Sequence, residues 1–244
     1  MVVSFLGLAV TLPILLPVML VAWAYDRHSP FYIAPRAGEA GTIFRMVKLR
    51  SMVIDADKSG VDSTSSRDSR ITPIGGFIRR FKLDELPQLW NVLVGDMSLV
   101  GPRPQLLRET SLYTPVERGL LDVRPGMTDF SSIVFADLAE ILKDQPAADI
   151  GYHQLVRPWK SRLGLFYIEH RSFWVDLQII PLTALAIVSR PHALHGVQRV
   201  LRRLGAGQDL VTIAGRDEPL TPQAPPGSDR VVTSRDVAAP SSRA

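Results

Sequence analysis

Residues 82–89 read KLDELPQL, and they place two adjacent carboxylates, Asp84 and Glu85, between a run of cations and a proline. Downstream, Leu86, Leu89, Trp90 and Leu93 recur at the i, i+3, i+4, i+7 spacing of a helix packed on a core, and Gly95 supplies a stop. A helix start accounts for the pair in one way: Asp84 as N-cap, with Glu85, Leu86 and Pro87 in the first turn, where the proline's missing N–H is harmless. The cations suggest another reading. Arg79, Arg80 and Lys82 precede the pair and Arg103 follows it, and cations converging on a helix N-terminus make an anion site suited to phosphate. A carboxylate held there is expected to stay ionised. It could hold a divalent cation, with Mg²⁺ the natural choice, or attack phosphorus and form an acyl-phosphate. A glycosidase fits poorly, because its two carboxyls must flank the scissile bond from opposite sides, roughly 5–9 Å apart.

Outward from this stretch, the N-terminus is the next strongest signal. No charged residue or histidine occurs before Asp26, and about 20 apolar residues suffice to cross a bilayer. Pro13 and Pro17 interrupt the run and are expected to bend or break its helix. Three readings stay open: a signal peptide ending near Ala22-Trp23-Ala24 without a basic leader, a plain spanning helix, and a helix that re-enters on the same face.

Between these segments, residues 44–51 roughly alternate and read as a strand that places Lys48 and Arg50 on one face. Residues 55–70 are polar and read as a mobile loop. Ile74, Phe77, Ile78 and Phe81 have helical spacing beside Arg79, Arg80 and Lys82, which suits a helix lying on an anionic membrane surface or a core-facing helix with a basic outer side. Gly101-Pro102-Arg103-Pro104 reads as a stiff extended loop, and Arg124-Pro125-Gly126 as a turn carrying a cation. Residues 173–188 are apolar but interrupted by Asp176 and Pro181, as in an interfacial or core helix. After Gly205, Pro, Ser, Gly, Asp and Arg dominate and disorder is expected.

Composition narrows the chemistry further. The 244 residues contain no cysteine, which excludes disulfides, thiolate metal sites and thiol nucleophiles. The net charge of +4 favours anionic partners. Nucleic acid is disfavoured, since aromatics are not interleaved with the cations and no recognition motif occurs.

The string KLDELPQLWNVLVGDMSLVGPRP resembles the signature of the bacterial sugar transferases, the monotopic polyprenyl-phosphate phosphoglycosyl transferases. RAGEAGTIFRMVKLRSM and DADKSG before it, and RPGMTDFSSIVF and YHQLVRPWKSRLGLFYIEHRSFWVDLQII after it, are similar to further family segments, covering roughly residues 1–188. The resemblance implies a mostly helical α+β fold: a re-entrant or spanning N-terminal membrane helix (1–25), a small cytosolic catalytic domain (26–190) with membrane-surface amphipathic helices, and a basic, then disordered tail (191–244). It implies transfer of a phosphosugar from a UDP-sugar to polyprenyl (undecaprenyl) phosphate with release of UMP, at the cytoplasmic face of the bacterial inner membrane, as the first step of exopolysaccharide, capsule, O-antigen or lipopolysaccharide assembly. By the family pattern Asp84 is the nucleophile. Glu85 assists metal placement or acceptor activation, and both carboxylates are the ligands of Mg²⁺. Arg79 and Arg103 clamp phosphate, with Lys48 and Arg124 as further basic positions, and Asp129 is a candidate for donor choice. Membrane phospholipid is a partner, and homo-oligomerisation stays open. Two departures stand out: Leu12-Pro13 occupies the place of the family's Ser-Pro, and the basic residues that commonly precede the membrane helix are missing. The alternative is a membrane-anchored basic binding or scaffold protein without turnover.

Overall fold

The computed structural model describes residues 2–56 and 68–233. Most of the segment expected to be a mobile loop, and the last residues of the tail, lie outside that range.

The first element, α1 (Val2–Asp26), is a single helix that runs through both prolines, so the expected break does not divide it. Among the described residues it is the one helix long and apolar enough to cross a membrane. The hairpin β1 (Phe31–Ala37) and β2 (Ile43–Leu49) follows, antiparallel with Tyr32 opposite Lys48. Next comes α2 (Pro73–Arg80), capped by the Thr72 hydroxyl, which accepts from Gly75 N–H at 3.0 Å, with Pro73 in the first turn. Gly75 lets this helix press on the chain just past β2: a Cβ there would sit 1.9 Å from the Ser51 carbonyl oxygen. Buried Leu15, Leu49 and Ile78 join α1, β2 and α2 in one small apolar cluster.

After a 3₁₀ turn, α3 (Gln88–Val94) ends at Gly95, whose φ of 93° is the left-handed cap that glycine favours. Strands β3 (Ser98–Val100) and β4 (Gly126–Thr128) then pair in parallel. Four short helices, α4 (Leu107–Ser111), α5 (Phe130–Val134), α6 (Leu138–Ile141) and α7 (Ala148–Gly151), lead to the long α8 (Arg157–His170) and α9 (Phe173–Val188). The fold is mostly helical with two small sheets.

The tail departs from expectation. Residues 190–203 form α10 and 208–215 form α11, and Ala193, Leu194, Val197, Leu201, Leu210 and Val211 are buried in the main core with α5, α8 and α9. The chain then returns along α8 and the turn before it, where Arg162 Nη2 donates to the Ala224 carbonyl at 2.9 Å and Gln154 Nε2 to that of Val232 at 2.7 Å. The Arg-rich composition hides an apolar face whose 193, 194, 197 and 201 positions recur at helical spacing.

Candidate active site

Asp84 does not cap α3. Lys82 takes the left-handed conformation (φ 55°), and Leu83–Glu85 tighten into a 3₁₀ turn whose side chains make no cap hydrogen bond. Pro87 is the residue that precedes α3. The carboxylates therefore point away from the helix's own N–H groups and into a cavity of about 1080 Å³, lined among others by Lys48, Arg79, Asp84, Glu85, Arg103 and Lys160.

Two backbone devices set the cations around the pair. Buried Asn91 on α3 accepts from Val47 N–H at 2.9 Å and donates to the Arg45 carbonyl at 2.8 Å, which fixes β2, and with it Lys48, against the helix that follows the carboxylates. The GPRP loop is latched to the RPG turn by Gly101 N–H to the Thr128 carbonyl and Gly126 N–H to the Pro102 carbonyl, both 2.9 Å. A Cβ on Gly126 would lie 2.1 Å from Gly101 N, so this close approach requires glycine. The latch holds Arg103 where its guanidinium donates to both oxygens of Glu85, at 2.5 and 3.2 Å.

The two neighbouring carboxylates consequently differ. Burial alone would push Glu85 up, but Arg103, then Lys48, hold it at about 2. Asp84 is raised above the usual carboxylate range, first by burial and then by the negative charge of Glu85, against the pull of Lys48 and Arg103. Its Oδ1 is buried and accepts no hydrogen bond among the described residues. The sequence expectation of a carboxylate favoured in its charged form thus describes Glu85, while Asp84 is the more basic of the pair. Arg103 is raised, chiefly by Glu85. Lys48 is lowered to about 8 by burial and then by Arg103.

Other positions sort as follows. Arg79, in the last turn of α2, lines the cavity. Arg124 does not: its Nε lies 3.3 Å from Glu39 in an exposed ion pair. Asp129 caps α5, accepting from Ser132 N–H at 2.8 Å and from the Ser131 and Ser132 hydroxyls, so helix capping occupies it. Lys160 escaped the sequence reading. It stands under the cavity with its ammonium 5.6 Å from the centre of the Tyr152 ring, lowered to about 8 by burial and by Arg103. Its place one turn beyond Arg157 on α8 is its only sequence signal.

Among the described residues no group of three or more acidic or histidine side chains is arranged to hold a metal. The donor set of Asp84 Oδ1 and the remaining lone pairs of Glu85 nevertheless fits Mg²⁺, which is commonly held by one or two carboxylates together with substrate phosphates.

Residues 1–190 match the model of the family described as bacterial sugar transferase. The chain belongs to that family. A Bacillus subtilis protein named as a candidate undecaprenyl-phosphate N-acetylgalactosaminyl 1-phosphate transferase is 46% identical over 102 residues, 42% of this chain and 57% of that one. The UDP-glucose:undecaprenyl-phosphate glucose-1-phosphate transferase of Caulobacter vibrioides is 32% identical over 185 residues, covering 72% and 64%. The uncharacterized sugar transferase EpsL of Bacillus subtilis is 34% identical over 158 residues, covering 65% and 69%. This sugar transferase chain spans 57% of the first relative's length and as little as 33% of a longer one. The two relatives whose names state a sugar name different ones.

Proposed function

We propose that the chain transfers a phosphosugar from a UDP-sugar to polyprenyl phosphate and releases UMP, initiating a bacterial polysaccharide or glycoconjugate. The observation that carries this reading is Asp84: a half-buried carboxylate with one buried oxygen that has no partner among the described residues, raised in basicity, in a cavity lined by Arg79, Lys48 and Arg103. An Asp84 oxygen attacks the sugar-bearing phosphorus, the bond from that phosphorus to the UMP oxygen breaks, and an aspartyl phosphosugar remains. A phosphate oxygen of the acceptor lipid then attacks the same phosphorus and releases the Asp84 carboxylate. Arg79 and Lys48 bind phosphate oxygens, and Glu85 holds Arg103 in place while orienting the acceptor. Mg²⁺ bound by Asp84 and Glu85 would neutralise charge on the phosphates.

The protein sits at the cytoplasmic face of the inner membrane, and α1 enters the bilayer without crossing it. Support comes from how much of α1 the domain touches. Gly7 packs on Leu89, Leu15 on Leu49 and Ile78, and Asp26 pairs with Arg50 at 2.5 Å. Gly7 and Asp26 are about 28 Å apart along the helix axis, close to the roughly 30 Å hydrocarbon thickness. A perpendicular span would drag the domain through the bilayer.

The test is UMP release from a UDP-sugar, with Mg²⁺ and undecaprenyl phosphate. Asp84→Asn is expected to lower it roughly 10⁴-fold or more, and Glu85→Gln roughly 10²–10⁴-fold. Turnover persisting in Asp84→Asn would remove that residue from the nucleophile role.

A further inference from the structure

The cavity that holds the carboxylates is lined by two chemistries. Beside its cations stand Ile133, Phe135, Ala136, Leu138, Ala139 and Ile187. Asp137 is the one acidic side chain of the 133–139 stretch, and it is bracketed by Arg190 at 2.8 Å and Arg216 at 3.5 Å. A nucleotide sugar has little use for such a wall, which would leave its hydroxyls and amides unpaired. At about 1080 Å³ the cavity also exceeds the roughly 300–1,000 Å³ usual for one small ligand.

Ile187 belongs to a second feature. Along α9, Phe173, Trp174, Leu177, Ile180, Ile187 and Val188 are exposed at helical spacing, while Val175 and Ile179 face the core. This outward stripe suits a helix lying at a lipid surface. Ile187 is therefore at once exposed on that stripe and part of the cavity wall.

Resting on the function proposed above, we infer that the acceptor's apolar chain enters at the C-terminal end of α9, passing Ile187 and lying against the 133–139 wall, with its phosphate toward Arg103 and Lys48. Such an amphiphile matches both halves of the lining, and its tail need never leave an apolar environment.

The experiment uses the full chain in detergent and reads two reactions. One is exchange of labelled UMP into the UDP-sugar, which needs no acceptor. The other is transfer to undecaprenyl phosphate or to water-soluble geranyl phosphate. Ile187→Lys is expected to raise the KM for the long acceptor about tenfold, leaving exchange and the KM for the short acceptor unchanged. Ile187→Ala should act in the same direction more weakly. Val188→Lys, on the exposed stripe but outside the cavity lining, should leave all three alone. Three outcomes would overturn the inference: exchange falling in step with transfer, which would give the wall to the donor; equal rises in KM for long and short acceptors; or Val188→Lys matching Ile187→Lys. Wild-type protein showing neither exchange nor transfer would instead overturn the proposed function, and this inference with it.

Discussion

Two acid–base clusters in this molecule, one buried and one half-buried, are built on opposite terms. In the first, Glu117 is wholly buried and accepts from Arg157 Nε at 3.0 Å, Arg157 Nη2 at 2.5 Å, the Ser161 hydroxyl at 2.7 Å and Thr114 N–H at 3.1 Å. Both carboxylate oxygens are satisfied, and the cluster ties residues 112–117 to α8. In the second, among the described residues, the Arg103 side chain hydrogen-bonds Glu85 alone, Asp84 Oδ1 has no partner, and no carboxylate oxygen lies within ion-pair distance of Lys48 or Lys160. Complete satisfaction makes a brace. Charges buried without partners lower stability unless something arrives to meet them, and a phosphate-rich substrate would do so.

Stability should separate the two clusters most widely. Glu117→Gln leaves Arg157 charged and poorly matched in the core, and is expected to cost about 3–5 kcal/mol, lowering Tm by about 10 °C. Asp84→Asn should do the reverse. Because the folded pKa of Asp84 lies above its unfolded value, the folded chain holds the proton more tightly. The penalty is absent below the unfolded pKa, grows as pH rises through the interval between the two values, and is fully present above the folded one. Removing the charge should therefore raise Tm at pH values above that interval. A thermal melt in which both variants lose stability alike would erase the distinction.

Alkaline pH sharpens the contrast. Lys48 falls from an ordinary 10.5 to about 8 in the folded chain, so its burial penalty is complete below pH 8 and relieved as pH rises from 8 to 10.5. This group's contribution to stability thus rises over the window in which loss of the same charge should slow turnover. Lys160 titrates in the same region. In the double variant K48R/K160R, whose guanidinium groups stay charged, the alkaline fall in exchange rate should move upward; an unmoved limb would detach both lysines from substrate. The smallest effect is expected of Arg124→Ala. Its exposed pair with Glu39 is of the kind worth about 0–1 kcal/mol, and UMP release should stay within about twofold of wild type.

How much of this could be read in the chain follows from distance along it. Asp84, Glu85 and Arg103 fall within one short signature, Arg79 lies three residues before it, and Lys48 sits on a strand whose alternation is visible; all five line the cavity. The carboxylates' local setting departs from the expected helix start because Asp followed by Glu and Pro suits a helix start equally well, whereas the left-handed Lys82 and the 3₁₀ turn lie against both α2 and β2, which no local pattern reveals. Lys160, Asn91 and the Glu117–Arg157 brace depend on contacts between distant segments, which no periodicity announces. The helices at 190–203 and 208–215 were obscured by Arg and Gly, although their apolar spacing was present. One face of α9 is apolar and exposed, as an interfacial helix requires, while Val175 and Ile179 on its other face are buried as the core reading expects.

The central claim is that Asp84 becomes covalently loaded. Mass spectrometry of the full chain given a UDP-sugar without acceptor, then digested under mild acid, tests it directly. The account predicts one phosphosugar mass added to the peptide carrying Asp84, lost on adding undecaprenyl phosphate and absent in Asp84→Asn. Catalytically competent protein that carries no adduct, or carries it on another side chain, would contradict it.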